Sequence, residues 1–295
     1  MSAKDWLNKA QMEGFAIPAF NVGNLETFKA VAVKAGEKRS PIIIESSPGE
    51  TKHMGAENIV DIAKNFSEEF NIPILVNLDH ATSYEECKIG IGAGYEMIHF
   101  DGSGFSIEEN IKITNKLVEE AHAKGLLVEA EIDHIAGSSE VHKEDISIYE
   151  IKRGFTNPQV ASTFVADTGV DIFASFFGNV HGVFPNQPPL DFELLEKIRD
   201  EIPCFLSLHG GSGISDEQIK EAIKIGRIVK ININTELRAA FRDNFERVLA
   251  ENKEEYALYK IFPPVLEAVG KVVGDKIEVE APAGKIQYTV VSVLH

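Results

Sequence analysis

Three histidines are the residues of this sequence best suited to bind a metal ion. They are His80 in the segment NLDHA, His181 in GNVHG and His209 in HGGSG. Three imidazoles leave one position of a tetrahedral Zn2+ open for substrate or water, which is the arrangement of catalytic zinc sites. The sequence therefore predicts a catalytic zinc site, with three unrelated capping histidines as the alternative.

A carboxylate directly precedes the first of these histidines. Asp79 next to a metal-bound substrate could move a proton to or from a hydroxyl group. It could instead orient His80 or cap a helix. Asp101 and Glu131 are further acidic candidates, either as orienting groups or as an alternative metal position, and a structural role is nearly as well supported. His99 lies inside a predicted strand, which favours a core or supporting role over ligation.

These candidates follow short predicted β-strands. Runs rich in Ile, Val, Leu and Phe alternate with longer segments of helical period, which is typical of a parallel sheet with crossover helices. The predicted strands are Phe15–Phe20, Ile42–Ser46, Ile74–Leu78, Met97–Phe100, Leu126–Glu131, Asp171–Phe176, Cys204–Leu208 and Ile228–Ile233. Eight such units in about 240 residues predict a closed (β/α)8 TIM barrel, with an open doubly wound sheet as the alternative.

The carboxyl ends of the strands in such a barrel converge on one face, and that face carries the active site. Polar residues lie at or just beyond the end of all eight predicted strands, which predicts a single shared site. They are Asn21, Ser47, Asp79, His80, Asp101, Glu131, His181, His209 and Asn232.

Two loops late in the sequence have the features of a phosphate site. The glycine-rich run Gly210–Gly213 precedes Ser215, which is predicted to cap a helix with Gln218 completing a capping box. Glycines let the backbone approach a ligand, and a helix start offers free N–H groups. Thr235 is the predicted N-cap after the last strand. The loops after strands seven and eight are the usual phosphate site of this barrel.

Composition narrows the class of protein. The chain has 295 residues, of which 44% are hydrophobic and 25% charged, as in ordinary soluble proteins. Its net charge of −17 argues against a nucleic-acid partner and against anionic membranes. No secretory signal or membrane-spanning run is visible, and the cysteines Cys87 and Cys204 do not suggest a disulfide scaffold. We therefore predict a cytoplasmic protein.

The domain organisation is predicted to be simple. No linker, repeat or low-complexity segment interrupts the pattern, so residues 1–278 are predicted as one barrel domain with a C-terminal helical segment. Residues 279–295 are predicted as a tail containing a short β-hairpin. The non-periodic stretch from Asp133 to Thr156 is predicted to be a functional loop.

Eight short motifs in this order resemble the class II ketose-bisphosphate aldolases of the fructose and tagatose branches: PAFNV, NLDHA, DGS, VEAEI, TGVD, GNVHG, HGGSG and NINTELR. The resemblance runs from about Trp6 to Ile277. It implies cleavage of a ketose 1,6-bisphosphate to dihydroxyacetone phosphate and an aldehyde phosphate. It also implies a homodimer or homotetramer and a monovalent cation, Na+ or K+, near the phosphate.

The resemblance further implies roles for individual residues. Zn2+ would bind to the three histidines, Asp79 would exchange a proton with the C4 hydroxyl, and Asp101 and Glu131 would be auxiliary metal-site carboxylates. Arg238 would reach the phosphate distal to the cleaved bond. The other implied substrate contacts are Asn21, Ser47, Gly182, Gly210, Gly211, Ser212, Asn232, Asn234 and Thr235.

The implied mechanism follows from the placement of charge. Zn2+ would polarise the C2 carbonyl and support the enediolate that forms as the C3–C4 bond breaks. Asp79 would remove the C4 hydroxyl proton during cleavage and return it during condensation. Because the metal serves as the electron sink, no Schiff base is needed, and Lys230 is not assigned a role.

Three positions depart from the family pattern. Pro185 stands where the family often has a phosphate-binding lysine, and Asn234 stands where many fructose enzymes have aspartate. The loop GSSEVHKED replaces the usual GGxED, so Glu140 or Glu144 is the candidate for its acidic role. The alternatives are a metal-dependent barrel lyase acting on a different or non-bisphosphorylated ketose, and a binding protein without activity.

Overall fold

The computed structural model describes residues 1–280 of the chain. The strands are β1 (Ile17–Asn21), β2 (Ile42–Ser46), β3 (Ile74–Ala81), β4 (Met97–Asp101), β5 (Leu127–Glu131), β6 (Gly137–Val141), β7 (Ile172–Ala174), β8 (His181–Val183), β9 (Phe205–Leu208) and β10 (Ile228–Ile233). Eight of them, all parallel, close a barrel in the order β1, β2, β3, β4, β5, β7, β9, β10. The predicted (β/α)8 barrel is confirmed and the open sheet is excluded.

Helices connect the barrel strands and cover their outer surface. They are α1 (Ala3–Glu13), α2 (Leu25–Lys38), α3 (Pro48–Met54), α4 (Ala56–Phe70), α5 (Tyr84–Ala93), α6 (Ile107–His122), α7 (Ile148–Arg153), α8 (Pro158–Thr168), α9 (Phe192–Glu201), α10 (Asp216–Gly226), α11 (Thr235–Glu251) and α12 (Leu258–Glu280). Many begin at a side-chain cap: Ser83, for example, accepts a hydrogen bond from the first turn of α5. Gly94 then ends α5 with a left-handed φ of 90°.

Helix α1 closes the amino-terminal end of the barrel. Its Trp6 and Leu7 are buried against apolar side chains from the lower ends of the strands, including Ile43, Leu75 and Phe205. This end is filled with apolar side chains, so the site must lie at the opposite, carboxyl-terminal end of the strands.

Residues facing the barrel interior follow one another at every second position. In β3, they pass from apolar Leu75 to polar Asn77 and then to Asp79. In β9, the inward-facing residues pass from apolar Phe205 to polar Ser207. The interior therefore changes from an apolar lower layer to a polar middle layer and then to the candidate site.

Two regions differ from the expectation. The stretch from Asp133 to Thr156 is not structureless, because it contains β6 and α7, and β6 forms a parallel two-stranded sheet with β8. Helix α12 packs against α2 and α11 and extends to Glu280, two residues beyond the predicted domain end. The predicted β-hairpin falls in residues 281–295, outside the described residues.

No helix within residues 1–280 is both long and apolar enough to cross a membrane.

Candidate active site

The end of β3 carries Asp79 and His80 at adjacent positions, which on a regular strand would point to opposite faces. His80 adopts a left-handed φ of 51°, and the pairing of β3 with β4 shifts register between Leu78 and Ala81. The backbone N–H of His80 donates a 3.0 Å hydrogen bond to Nδ1 of His99. This irregular strand end allows both side chains to line the same pocket, and such strained backbone is a feature of functional sites.

Asp79 is held by two side-chain amides. Nδ2 of Asn21 donates to its Oδ2 at 2.9 Å, and Nδ2 of Asn232 donates to its Oδ1 at 3.1 Å. Burial acts to raise the pKa of Asp79, but the neighbouring imidazoles, His80 first among them, and the Lys230 ammonium outweigh burial and hold the pKa well below its ordinary value. Asp79 is therefore an ionised carboxylate with a fixed orientation.

Two of the three histidines present donor atoms to one another. Nε2 of His80 lies 3.0 Å from Nδ1 of His209. Two nitrogens bound to one tetrahedral Zn2+ at about 2.0–2.1 Å would be separated by about 3.3 Å, so this spacing is close to that of a ligand pair. Burial lowers the pKa of both imidazoles, which leaves each with a neutral nitrogen able to bind a metal.

His181 stands beside this pair at the start of β8. Its ring centre lies 4.8 Å from that of His80 and 6.2 Å from that of His209. Burial lowers its pKa to about 4. The donor atoms that lie within 4.8 Å of one another belong to Asp79, His80, His99 and His209, so the structure gathers two of the predicted ligands tightly and brings the third ring alongside.

Asp101 and Glu131 face the other ring nitrogen of His80. Nδ1 of His80 lies 3.9 Å from Oδ2 of Asp101 and 3.8 Å from Oε1 of Glu131. Burial and the neighbouring Asp101 raise the pKa of Glu131 well above its ordinary value. Oε2 of Glu131 has no hydrogen-bond partner among the described residues. This second group therefore shares His80 with the first and could also hold a metal ion.

The pocket above these groups is lined by strand ends and by the loops that follow them. Its lining residues include Ser139 of β6, a position that no hydrophobic pattern in the sequence marks. Glu140 and Glu144, the acidic candidates from the same stretch, are exposed. The lining residues are Asn21, Asp79, His80, Ser139, His181, Gly182, Gly210, Ser212, Asn232, Asn234 and Thr235.

Helix α11 opens into this pocket. The predicted N-cap was Thr235, but this residue already belongs to the helix. The N-cap is Asn234. The side chain of Asn234 does not cap the first turn, although Oγ of Ser212 accepts from the backbone N–H of Glu236 at 3.4 Å, and the buried Oδ1 of Asn234 has no partner among the described residues. By contrast, Ser215 caps α10 as predicted, whereas the side chain of Gln218 accepts from Leu190 and does not complete the capping box. The start of α11 is thus the better anion site of the two.

Three predicted substrate contacts do not line the pocket. Ser47 caps α3, and its hydroxyl donates a hydrogen bond to Oε2 of Glu50. Gly211 packs so closely that an added Cβ would lie 2.7 Å from the Ile231 side chain. Arg238 is half exposed, and its Nη2 donates to Oε1 of Glu50 at 2.7 Å.

Comparison with known proteins identifies the fold family. The family described as fructose-bisphosphate aldolase class-II matches residues 1–285. This chain belongs to the class II fructose-bisphosphate aldolases. The aldolase is 37% identical over 288 residues to a fructose-bisphosphate aldolase of Geobacillus stearothermophilus, covering 97% of this chain and 98% of that protein. It is therefore an enzyme of the carbon–carbon lyase class.

Solved structures agree with this assignment. The YdjI aldolase of Escherichia coli K12 matches this aldolase with a TM-score of 0.81 and 33% identity, over 96% of this chain and 98% of that chain. A fructose-bisphosphate aldolase of Campylobacter jejuni matches with a TM-score of 0.82 over 97% of both chains. At 23% identity, the second comparison supports the fold alone.

The aldolase also has a charged layer inside the barrel, below the pocket, that the sequence analysis missed. Nζ of Lys230 lies 2.8 Å from Oε1 of Glu45 and 2.6 Å from Oε2 of Glu129. Oε1 of Glu129 accepts from Ser207 at 2.5 Å and lies 2.7 Å from Nε2 of His209. All five side chains are fully buried. The signal that could have found them is the period of two, because each lies two residues from another inward-facing position.

Proposed function

We propose that this aldolase is a zinc-dependent enzyme that reversibly cleaves a ketose 1,6-bisphosphate, of the fructose or tagatose type, to dihydroxyacetone phosphate and an aldehyde phosphate. His80, His181 and His209 would hold the zinc, and Asp79 would exchange the proton. The observation that carries the proposal is the ionised Asp79 beside the converging nitrogens of His80 and His209: Oδ1 of Asp79 lies 3.9 Å from Nε2 of His80 and 4.0 Å from Nδ1 of His209.

The residues present suit a zinc ion. Neutral imidazole is a preferred zinc ligand, and burial lowers the pKa of all three histidines. The buried Oδ1 of Asn232, beside this group, has no partner among the described residues and is available to a ligand. When bound, zinc supplies a Lewis acid that stabilises negative charge on the substrate oxygen next to the breaking bond.

Asp79 supplies the base. Because its pKa is held low, it is ionised at neutral pH and can accept the proton of the C4 hydroxyl during cleavage. The same group returns the proton when the bond forms in the reverse direction. The amides of Asn21 and Asn232 fix both carboxylate oxygens, which limits rotation of the base away from the substrate.

The start of α11 supports a phosphate at the other end of the substrate. Its N-cap residue does not cap the first-turn N–H groups, of which that of Glu236 donates to Oγ of Ser212 at 3.4 Å, and Asn234 and Thr235 line the pocket. A phosphate there would satisfy these donors and lie at the positive end of the helix dipole. Ser212, Gly210 and Gly182 line the same pocket and are proposed as further contacts. A monovalent cation beside this phosphate and a homodimer or homotetramer stay predictions.

A second candidate is the same reaction on a ketose that carries a single phosphate. Arg238 was the basic residue expected to bind the distal phosphate, yet it pairs with Glu50 and does not line the pocket. Among residues 1–280, none of those that line the pocket is a lysine or an arginine. This observation favours an aldehyde product without a phosphate.

Retro-aldol assays on a panel of substrates test both candidates. The release of dihydroxyacetone phosphate should be measured from fructose and tagatose 1,6-bisphosphates and from ketose 1-monophosphates, with and without a chelator. The proposal predicts that cleavage of a bisphosphate is fastest, stops with the chelator and returns when zinc is added. A faster reaction with a monophosphate would favour the second candidate, and undiminished cleavage by the chelated enzyme would contradict the zinc dependence of both.

A further inference from the structure

A network of five buried side chains crosses the barrel interior one layer below the pocket. We call it the interior network; its members are Glu45, Asn77, Glu129, Ser207 and Lys230. Burying three ionisable groups in a barrel is costly unless they are paired and hydrogen bonded, and apolar side chains would avoid that cost. The mechanism proposed above does not use them, so the network calls for an explanation of its own.

The contact between the network and the pocket is made through His209. Nε2 of this imidazole lies 2.7 Å from Oε1 of Glu129. An ionised carboxylate can only accept a hydrogen bond, so Nε2 carries the hydrogen and Nδ1 keeps its lone pair. Nδ1 is the atom that faces the pocket, 3.0 Å from Nε2 of His80 and 3.2 Å from Nδ2 of Asn232. The position of Glu129 therefore determines which nitrogen of His209 is free to bind a metal ion.

Glu129 is itself fixed from two sides. The hydroxyl of Ser207 donates to Oε1, and the ammonium of Lys230 donates to Oε2 at 2.6 Å. Lys230 is in turn held by Glu45, whose Oε1 also accepts from Nδ2 of Asn77 at 2.8 Å. These contacts fill both oxygens of Glu129 and leave it one orientation, with Oε1 towards the imidazole.

We propose that Glu129 and Lys230 are positioning residues for zinc binding: Glu129 fixes the tautomer and ring orientation of His209, and Lys230 holds Glu129 in place. A carboxylate that accepts the far N–H of a metal-bound histidine also makes the ligating nitrogen more basic. The inference rests on the proposed function only in taking His209 as a zinc ligand.

Zinc affinity measures this role without reference to catalysis. Full-length enzyme is stripped with a chelator, and the Kd for zinc is measured by competition with a chromophoric chelator. Glu129→Leu and Lys230→Met should each weaken zinc binding about ten- to a hundredfold, the usual effect of losing a group that orients a ligand. Glu129→Gln keeps an acceptor oxygen, so it should weaken binding less than Glu129→Leu.

Glu96→Gln is the matched control. Glu96 is a partly buried carboxyl just before β4, but its Oε2 accepts from the backbone N–H of Val76 at 2.8 Å, and it has no contact with His209 among those described. It should leave the zinc Kd within about twofold of wild type. Circular dichroism and thermal unfolding of every variant show whether the barrel has folded.

The histidine tautomer provides the second measurement. In 15N-histidine-labelled, zinc-free enzyme at pH 7, the signals of His209 are assigned by their loss in His209→Gln. The wild type should show the Nε2–H form, and Glu129→Leu should show a mixture with the Nδ1–H form. Even if Lys230→Met fails to fold, the Glu129 variants and this spectrum still test the proposal.

The double variant tests whether Lys230 acts through Glu129. Lys230→Met in the Glu129→Leu background should add less than a twofold further loss of zinc affinity, because residues that act as a unit are not additive. Zinc affinities equal to that of Glu96→Gln in both single variants, or an unchanged tautomer, would overturn the inference. Unchanged affinity in His209→Ala would instead contradict the proposed zinc site itself, which separates the two failures.

Discussion

Nδ1 of His209 lies 3.0 Å from Nε2 of His80, although the two residues are separated by 129 positions in the sequence. The contact depends on the closed barrel, which brings the end of β9 opposite the end of β3. It depends equally on the left-handed backbone of His80, which turns this side chain into the pocket beside Asp79. Metal binding and proton transfer are thus assigned to neighbouring atoms, and variants should separate them.

Asp79→Asn should separate the proton-transfer step from metal binding. The variant should retain one zinc per chain and bind substrate, but turnover should fall by about 10²–10⁴-fold, the usual effect of losing a general acid or base. Zinc content and single-turnover cleavage should be measured on the same preparation. Turnover within a few-fold of wild type would assign the proton to another group, with the exposed Glu140 and Glu144 as the next candidates.

His181→Ala and His99→Ala should distinguish a ligand from a supporting residue. His181 is the proposed third ligand, so its loss should weaken zinc binding by more than about a hundredfold. Nδ1 of His99 accepts the backbone N–H of His80, so its loss should weaken zinc binding by only about tenfold. Zinc affinity measured by chelator competition checks both values. The reverse ranking would make His99 the ligand, as its closer donor-atom grouping would allow.

Arg238→Ala should show whether Arg238 binds a phosphate at the end of the substrate distal to the cleaved bond. A charged hydrogen bond to phosphate contributes about 1.5–3 kcal/mol, so the variant should lose roughly ten- to a hundredfold of its preference for a ketose bisphosphate over a 1-monophosphate. Glu50→Gln should act in the opposite direction, because it releases Arg238 from its ion pair. KM for both substrates is the measurement. Equal effects on the two substrates would favour the single-phosphate candidate.

Glu45→Gln should change how stability depends on pH. Burial, with the neighbouring Asp79, raises the pKa of Glu45 from 4.5 to about 8 despite the opposing effect of Lys230. Between these values the folded protein holds a proton that the unfolded chain releases. The contribution of Glu45 to stability is therefore fully present below pH 4.5 and lost as pH rises to about 8.

Urea unfolding of zinc-free wild type and Glu45→Gln across this range provides the check. The free energy of unfolding of the wild type should fall relative to the variant, with a slope of up to about 1.4 kcal/mol per pH unit for one proton. Parallel curves would show that Glu45 does not titrate in this window.

The fold and the upper layer of the site could be predicted because barrel strand ends converge, whatever their exact register. Asp79, His80 and His209 were found from residue type and position alone. The interior network was not found, although period two points to it: Glu129 lies two residues before Glu131, and Lys230 two before Asn232. In a sequence, a charged residue that will be buried cannot be told from one that will lie on the surface. Only its contacts across the folded barrel distinguish the two.

Other local features were not predicted because tertiary geometry overrides residue preference. Ser139 was passed over because a short strand pairing with β8 gives no hydrophobic pattern in an exposed segment. The contact of Arg238 with Glu50, 188 positions away, was not predicted either, because no spacing in the sequence points to that pair; the role of Arg238 at the distal phosphate stays a prediction. Thr235 resembled an N-cap, yet the helix begins one residue earlier than its type suggested.

Titration of the metal-free enzyme with zinc, with retro-aldol turnover and bound zinc measured at each point, tests the central claim most directly. Turnover should rise in proportion to zinc bound at the tightest site and reach its maximum when that site is full, and His209→Ala should show neither tight binding nor turnover while remaining folded. Full turnover before zinc is added, or in His209→Ala, would contradict the assignment of this histidine-lined pocket as the zinc-dependent active site.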